Sequence, residues 1–227
     1  MNHPKEAVMR LLFLEDHIAM PVMKLPVRCV AIKTHKGVIL VSPIKFSSDQ
    51  LQQIVELGEV TAIVSPSLIH SLFIKKACKR FPKAEVWAPP GMRQKFPEMK
   101  VDKILTQDPW PYQDQIDMQL VDGVKKVTEV AFYLKELRTV LVCDLAFNIQ
   151  HPHGLGARVI QGMLGTYKKF AISRLWNFFM KDKTMFSEAI QNILKWDFDQ
   201  VIMAHGEVLT ENGHERLRQS AQQRGYI

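Results

Sequence analysis

The chain has 227 residues, 47% of them hydrophobic, so it can bury a large core, and no Ser/Gly-rich, low-complexity or charge-rich stretch separates two halves as a linker would. Its three cysteines, Cys29, Cys78 and Cys143, are an odd number set in apolar runs without a CxxC pair, which argues against a disulfide framework and against a cysteine zinc site. The formal charge of +7 favours an anionic contact, but the clusters at 75–83 and 168–174 read as solvated helix faces, with no recognition helix or aromatic RNA-binding signature beside them.

The expectation is therefore one domain over residues 1–227, with 1–26 an irregular lead-in. Residues 1–18 lack the basic start, unbroken apolar run and cleavage site of a secretory signal. No stretch approaches the roughly 20 apolar residues of a membrane span, which points to the cytoplasm.

In chain order, Val27 to Thr34 alternates as a strand, His35-Lys36-Gly37 supplies a turn, and Val38 to Val41 returns as a buried strand. Ser47 and Gln50 form a capping box that opens a helix, with Leu51, Ile54 and Val55 on one face and Gly58 ending it. Val60 to Val64 is a strand. Phe73, Ile74, Ala77, Cys78 and Phe81 recur at helical spacing before Pro82, and Glu85 to Ala88 is the next strand.

Further strands are expected near Lys103 to Leu105 and at Ile116 to Val121, followed by a hairpin from Val127 to Cys143 that turns near Glu136-Leu137-Arg138. Val130, Phe132 and Leu134 alternate there with Glu129, Ala131 and Tyr133, which predicts a half-exposed strand. Gly154 to Trp196 reads as helical, including the block Leu175 to Met180, whose short apolar run suits a buried helix better than a membrane surface. A last strand, Gln200 to Ala204, and a helix from about Asn212 complete the pattern.

Three times an apolar strand ends and a metal-competent side chain follows: His70, Asp144 and His205. Ligands collect at the carboxyl ends of strands in α/β folds, because loops converge there on a rigid base. Two imidazoles and a carboxylate suit Zn²⁺ or Fe²⁺ and leave a coordination position for water or substrate. The competing reading of each residue is structural: a hydrogen-bonded histidine, or a helix-capping Asp144. His151 and His153, nine residues or fewer beyond Asp144, could bring further imidazoles back to the site or lie on a solvated loop. Cys143 is a poor candidate, since its neighbour Asp144 faces the site and adjacent strand side chains point oppositely.

The blocks Val60-Thr-Ala-Ile-Val-Ser-Pro-Ser-Leu-Ile-His70, Ala88-Pro-Pro-Gly91, Thr139-Val-Leu-Val-Cys-Asp-Leu-Ala-Phe-Asn148 and Trp196-Asp-Phe-Asp-Gln-Val-Ile-Met-Ala-His-Gly-Glu207 resemble a bacterial domain family of unknown function within the metallo-β-lactamase-like superfamily. The resemblance runs from about Val27 to Arg218. It implies an α/β αββα sandwich of two mixed sheets with helices outside. Active members of the superfamily carry a His-x-His-x-Asp-His run, a bridging Asp and a final His. Against that pattern, His70, Asp144 and His205 survive, while Ser65, Ser67 and Ile69 stand where two His ligands and an Asp belong, and Ser42 replaces a strand-ending Asp.

A site so reduced fits a mononuclear hydrolase of an ester, thioester or similar acyl bond, holding one Zn or Fe ion. A vestigial site would hold none, and the chain would then be a non-catalytic descendant binding a small anionic ligand or a protein partner. Nucleic-acid binding rests on the basic charge alone and ranks last.

Overall fold

The computed structural model describes residues 9–21, 23–152 and 154–227. Strand β1 (Arg10–Met20) and β2 (Met23–Thr34) form a long antiparallel hairpin, and β3 (Gly37–Val41) extends it. Residues 10–20 and 23–26, expected as part of an irregular lead-in, are thus strand. The pattern hides them because β1 lies at the sheet edge and buries one residue of its strand, Leu14, so its alternation is weak. Gly37 closes the β2/β3 turn at φ +121°, and a Cβ there would sit 2.5 Å from Thr61 Cγ2, so glycine is required.

Helix α1 (Ser48–Leu57) starts at the Ser47 capping box, in which Ser47 Oγ accepts from Gln50 N and Gln50 Oε1 accepts from Ser47 N. It buries Ile54, whereas Val55, placed on the same face by the sequence pattern, is exposed. There follow β4 (Val60–Val64), α2 (Ile74–Arg80), β5 (Glu85–Ala88), α3 (Met92–Lys95) and β6 (Lys103–Ile104), which complete a mixed sheet in the order β1 to β6. Strands β3 to β6 run parallel to one another.

The second sheet contains β7 (Ile116–Val121), β8 (Glu129–Leu134), β9 (Thr139–Val142) and, after a long excursion, β12 (Gln200–Met203), in the order β12-β9-β8-β7. Within the excursion lie β10 (Ala146–Phe147), α4 (Leu155–Leu164), β11 (Ala171–Ile172), α5 (Leu175–Phe179) and α6 (Lys183–Ile193); α7 (Gly213–Gln223) follows β12. The β10/β11 ribbon interrupts the stretch read as helical, because two-residue strands leave no periodicity to detect.

Alternation along the strands makes two faces of each sheet apolar. Val30, Ile32, Ile39, Val64, Phe132, Leu141 and Ile202 meet between the sheets. Cys29, Ala31, Leu40 and Ile63 face the other way, against Ile54 of α1 and Ile74 and Ala77 of α2. On the second sheet, Ala131, Val140, Val142 and Val201 pack against Phe186 and Ile190 of α6 and Leu217 of α7. Two mixed sheets face to face with helices outside is the arrangement the resemblance implies. It corrects the half-exposed reading of β8, whose second face is covered by the helical layer; Glu129 and Ala131 are both fully buried.

Candidate metal centre

The segments that follow β4 in the first sheet and β9 and β12 in the second bring the predicted trio together. Asp144 Oδ2 lies 3.1 Å from His70 Nε2, and Asp144 Oδ1 lies 3.4 Å from His205 Nε2. One ligand atom from each residue falls within 4.8 Å of the others, and this is the one such group of His, Cys, Asp and Glu among the described residues.

Each imidazole is oriented by its other nitrogen. His205 Nδ1 donates to the Pro26 carbonyl at 2.7 Å, which fixes the proton on Nδ1 in the neutral ring and leaves the Nε2 lone pair facing Asp144. Phe147 stacks on that ring at 5.2 Å, and holds its plane. His70 Nδ1 pairs with Ser42 Oγ at 2.7 Å. Ser42 takes φ +55°, a left-handed conformation uncommon outside glycine, at the end of β3 where the chain turns into the cleft.

Beneath the trio lies a residue that the alternation of β8 places on a solvent face. Glu129 has no exposed surface, and its carboxylate accepts from the amides of Cys143 and Asp144 at 2.8 Å and of Leu145 at 3.1 Å. It sets the backbone that carries Asp144, while Trp176 of α5 donates its indole N–H to the Asp144 carbonyl at 3.0 Å. Pro26 is equally hidden in the sequence, since a backbone carbonyl has no side-chain signature.

The electrostatics separate the two carboxyls. Burial pushes Asp144 up, but the two imidazoles outweigh it and hold this carboxyl far below its usual range. Burial disfavours charge on His70 too, and the adjacent Asp144 overcomes that to raise the imidazole above its ordinary value. Glu129 is pushed up to about 8, by burial first and then by Asp144, against the backbone amides that favour its charge. Negative charge therefore concentrates on Asp144, the one carboxyl facing both imidazoles.

This donor set fits one cation. With one His205 nitrogen committed to Pro26, the other faces a carboxylate oxygen of Asp144, an arrangement that either a proton on Nε2 or a metal ion between the two satisfies. The separations of 3.1 and 3.4 Å exceed the about 2.7–2.9 Å of a close charge-assisted hydrogen bond.

Ser65, Ser67 and Ile69 are held differently. Ser65 Oγ donates to the His70 carbonyl at 2.9 Å, with the Ser67 carbonyl at 3.1 Å. Ser67 Oγ accepts from the Ile69 amide at 3.3 Å and lies 3.5 Å from Asp144 Oδ2. Ile69 is exposed at the rim. His151 points to solvent, with Nε2 3.7 Å from Glu207 Oε1, and is not brought to the trio. His153 lies outside the described residues. Cys143 is buried, its thiol pushed well up by burial foremost and then by Glu129 and Asp144, and it does not join the group of ligand atoms formed by the trio.

A cleft of about 160 Å³ opens over the trio, walled by Ile18, Leu25 and Val27 of the β1/β2 hairpin and by Ile44, Ile69, Leu72 and Phe73. Its floor is polar and its walls are carbon.

A fold of two mixed sheets with a histidine and aspartate cluster at their strand ends defines a protein of metallo-β-lactamase fold. The family model described as "Domain of unknown function (DUF4336)" matches residues 10–155, more than half of the chain, so the chain belongs to that family. No curated protein matches it significantly. Among solved structures, it is similar to the DIM-1 metallo-β-lactamase exposed to ceftazidime (TM-score 0.64, 12% identity, 98% of this chain and 96% of that one). It is also similar to a metallo-β-lactamase from Pontibacter korlensis (TM-score 0.63, 13% identity, 94% and 99%). A third match is FIM-1 from Pseudomonas aeruginosa in the mono-zinc form (TM-score 0.63, 14% identity, 99% of each chain).

Proposed function

We propose that the chain is a mononuclear metal-dependent hydrolase of an ester, thioester or similar acyl bond, with His70, Asp144 and His205 holding one Zn or Fe ion. The observation that carries this reading is the His205 ring, locked by Pro26 and Phe147 with its Nε2 atom aimed at Asp144. The similar FIM-1 structure in its mono-zinc form supports a single-ion state in this fold. A bound zinc or iron would supply Lewis acidity, which lowers the pKa of water and polarises an acyl carbonyl.

The chain's own residues do the rest. Asp144 supplies the site's negative charge, Ser42 and Pro26 orient the imidazoles, and the apolar walls of the cleft exclude water and favour an uncharged acyl group. Proton transfer has no carboxylate at Ile69 to perform it, which predicts slow turnover. Ile69 and the internally bonded Ser65 favour a second reading, in which the cleft binds a small ligand without hydrolysing it.

Elemental analysis of protein purified without chelators tests the first reading. About one zinc or iron per chain is expected, with loss of the ion in His205→Ala and Asp144→Asn. A content far below one, unchanged in those variants, would overturn it. A bound ion without turnover of any acyl ester or thioester would favour the second.

A further inference from the structure

Helix α4 carries its amphipathicity the wrong way round for a core helix. It buries Ala157 and Gln161, and both polar atoms of the Gln161 amide lack hydrogen-bond partners among the described residues. Meanwhile Leu155, Val159 and Met163 are 78%, 62% and 71% exposed. Spaced four residues apart, these three form one continuous stripe, with exposed Arg158 beside it.

The charge around the stripe is one-sided. From Leu145 to Lys181 the sequence contains no Asp or Glu, and Arg158, Lys168, Lys169, Arg174 and Lys181 are all exposed. Lys168 Nζ lies 5.8 Å over the ring of half-exposed Tyr167, just past the helix end. The Arg174 amide donates to the Leu164 carbonyl, which ties the start of α5 to the end of α4, and on α5 Phe178 is 79% exposed.

An apolar ridge rimmed by cations and free of anions over this segment is complementary to a surface with hydrocarbon below and negative charge above. We propose that α4 and its basic rim dock the protein on an anionic lipid bilayer, with the helix lying in the headgroup plane. Ten residues are far too few to cross a bilayer, and no helix of the described residues is long and apolar enough to do so. Met20, Met23 and Lys24 share a hollow with Gly154 at the start of α4, and Ile18 and Leu25 of the same hairpin wall the cleft. The docking face therefore borders the mouth of the candidate site, although the proposal does not depend on metal or turnover.

Flotation of the full chain with phosphatidylcholine vesicles, with and without phosphatidylglycerol, tests this. Binding is expected with phosphatidylglycerol, weakened about tenfold or more by Lys168→Glu with Lys169→Glu and by Val159→Glu. Val55→Glu, which charges an equally exposed apolar position on α1, serves as the control and should bind as the wild type does. Three results would overturn the proposal: no binding to anionic vesicles, equal binding by Val159→Glu, or equal loss with Val55→Glu. A wild-type dimer that Val159→Glu turns into a monomer, without vesicle binding, would assign the face to a second copy of the chain instead.

Discussion

The loop after β4 and the paired segments after β9 and β12 border the same cleft but hold their polar atoms in opposite ways. In the loop, the hydroxyls of Ser65 and Ser67 bond to the loop's own backbone, and Ile69 shows carbon to the rim. After β9 and β12 the backbone is tied down by other groups. Asn148 N donates to the His205 carbonyl, Glu207 N donates to the Asn148 carbonyl, and Glu129 gathers the amides of residues 143–145. The carboxylate of Asp144 and the ring of His205 are thereby left to face each other. Asp144 and His205 thus stand where a separate scaffold satisfies the backbone, whereas the β4 loop brings His70 alone to the trio and holds its own backbone with the small side chains of Ser65 and Ser67.

The largest expected effect breaks the scaffold from below. Glu129→Ala leaves three buried amides without an acceptor and should cost about 4 kcal/mol of stability in urea denaturation. A loss under about 1 kcal/mol would mean that the amides find other partners. Next comes Gly206→Ala, since Gly206 holds φ +96° and a Cβ would meet the Asn148 carbonyl oxygen at 2.3 Å. The expected cost is about 3 kcal/mol, read from the same curves.

Smaller effects sharpen the contrast from the loop side. Ser65→Ala should cost about 1 kcal/mol, because it deletes one hydroxyl donor, whose hydrogen is shared between two carbonyls, where Glu129→Ala strands three amides. A cost equal to that of Gly206→Ala would erase the distinction between the two regions. Ile69→Asp, at a side chain 43% exposed, should move stability by less than about 0.5 kcal/mol. If the proposed hydrolase lacks only a proton carrier, the same substitution should speed acyl-ester hydrolysis about a hundredfold at constant metal content.

His70, Asp144 and His205 were legible in the sequence because packing alone seldom calls for a polar, metal-competent side chain just beyond an apolar strand, and here the pattern recurs three times. Capping at Ser47 and the turn at Gly37 were legible because each is a local event. Glu129 was not, since period-2 alternation shows that β8 has two faces but not that helices α6 and α7 cover the second. Pro26 and β1 were missed for a related reason. One contributes only a carbonyl, and the other is an edge strand whose exposure blurs its pattern. The turn of Ser42 toward His70 depends on a left-handed φ that no residue type announces at that position. In each case the missing information was tertiary.

The proposed centre is a single ion held by His70, Asp144 and His205, whose placement depends on Ser42, Glu129 and Pro26. X-ray absorption at the metal edge of protein loaded with zinc tests it most directly. One zinc per chain is expected, with two imidazole nitrogens at about 2.0–2.1 Å, a carboxylate oxygen at similar distance, and no neighbouring metal. Loss of the zinc, and with it of the edge signal, is expected in His205→Ala. A metal-to-metal vector at about 3.5–4 Å, or zinc bound without imidazole, would contradict it.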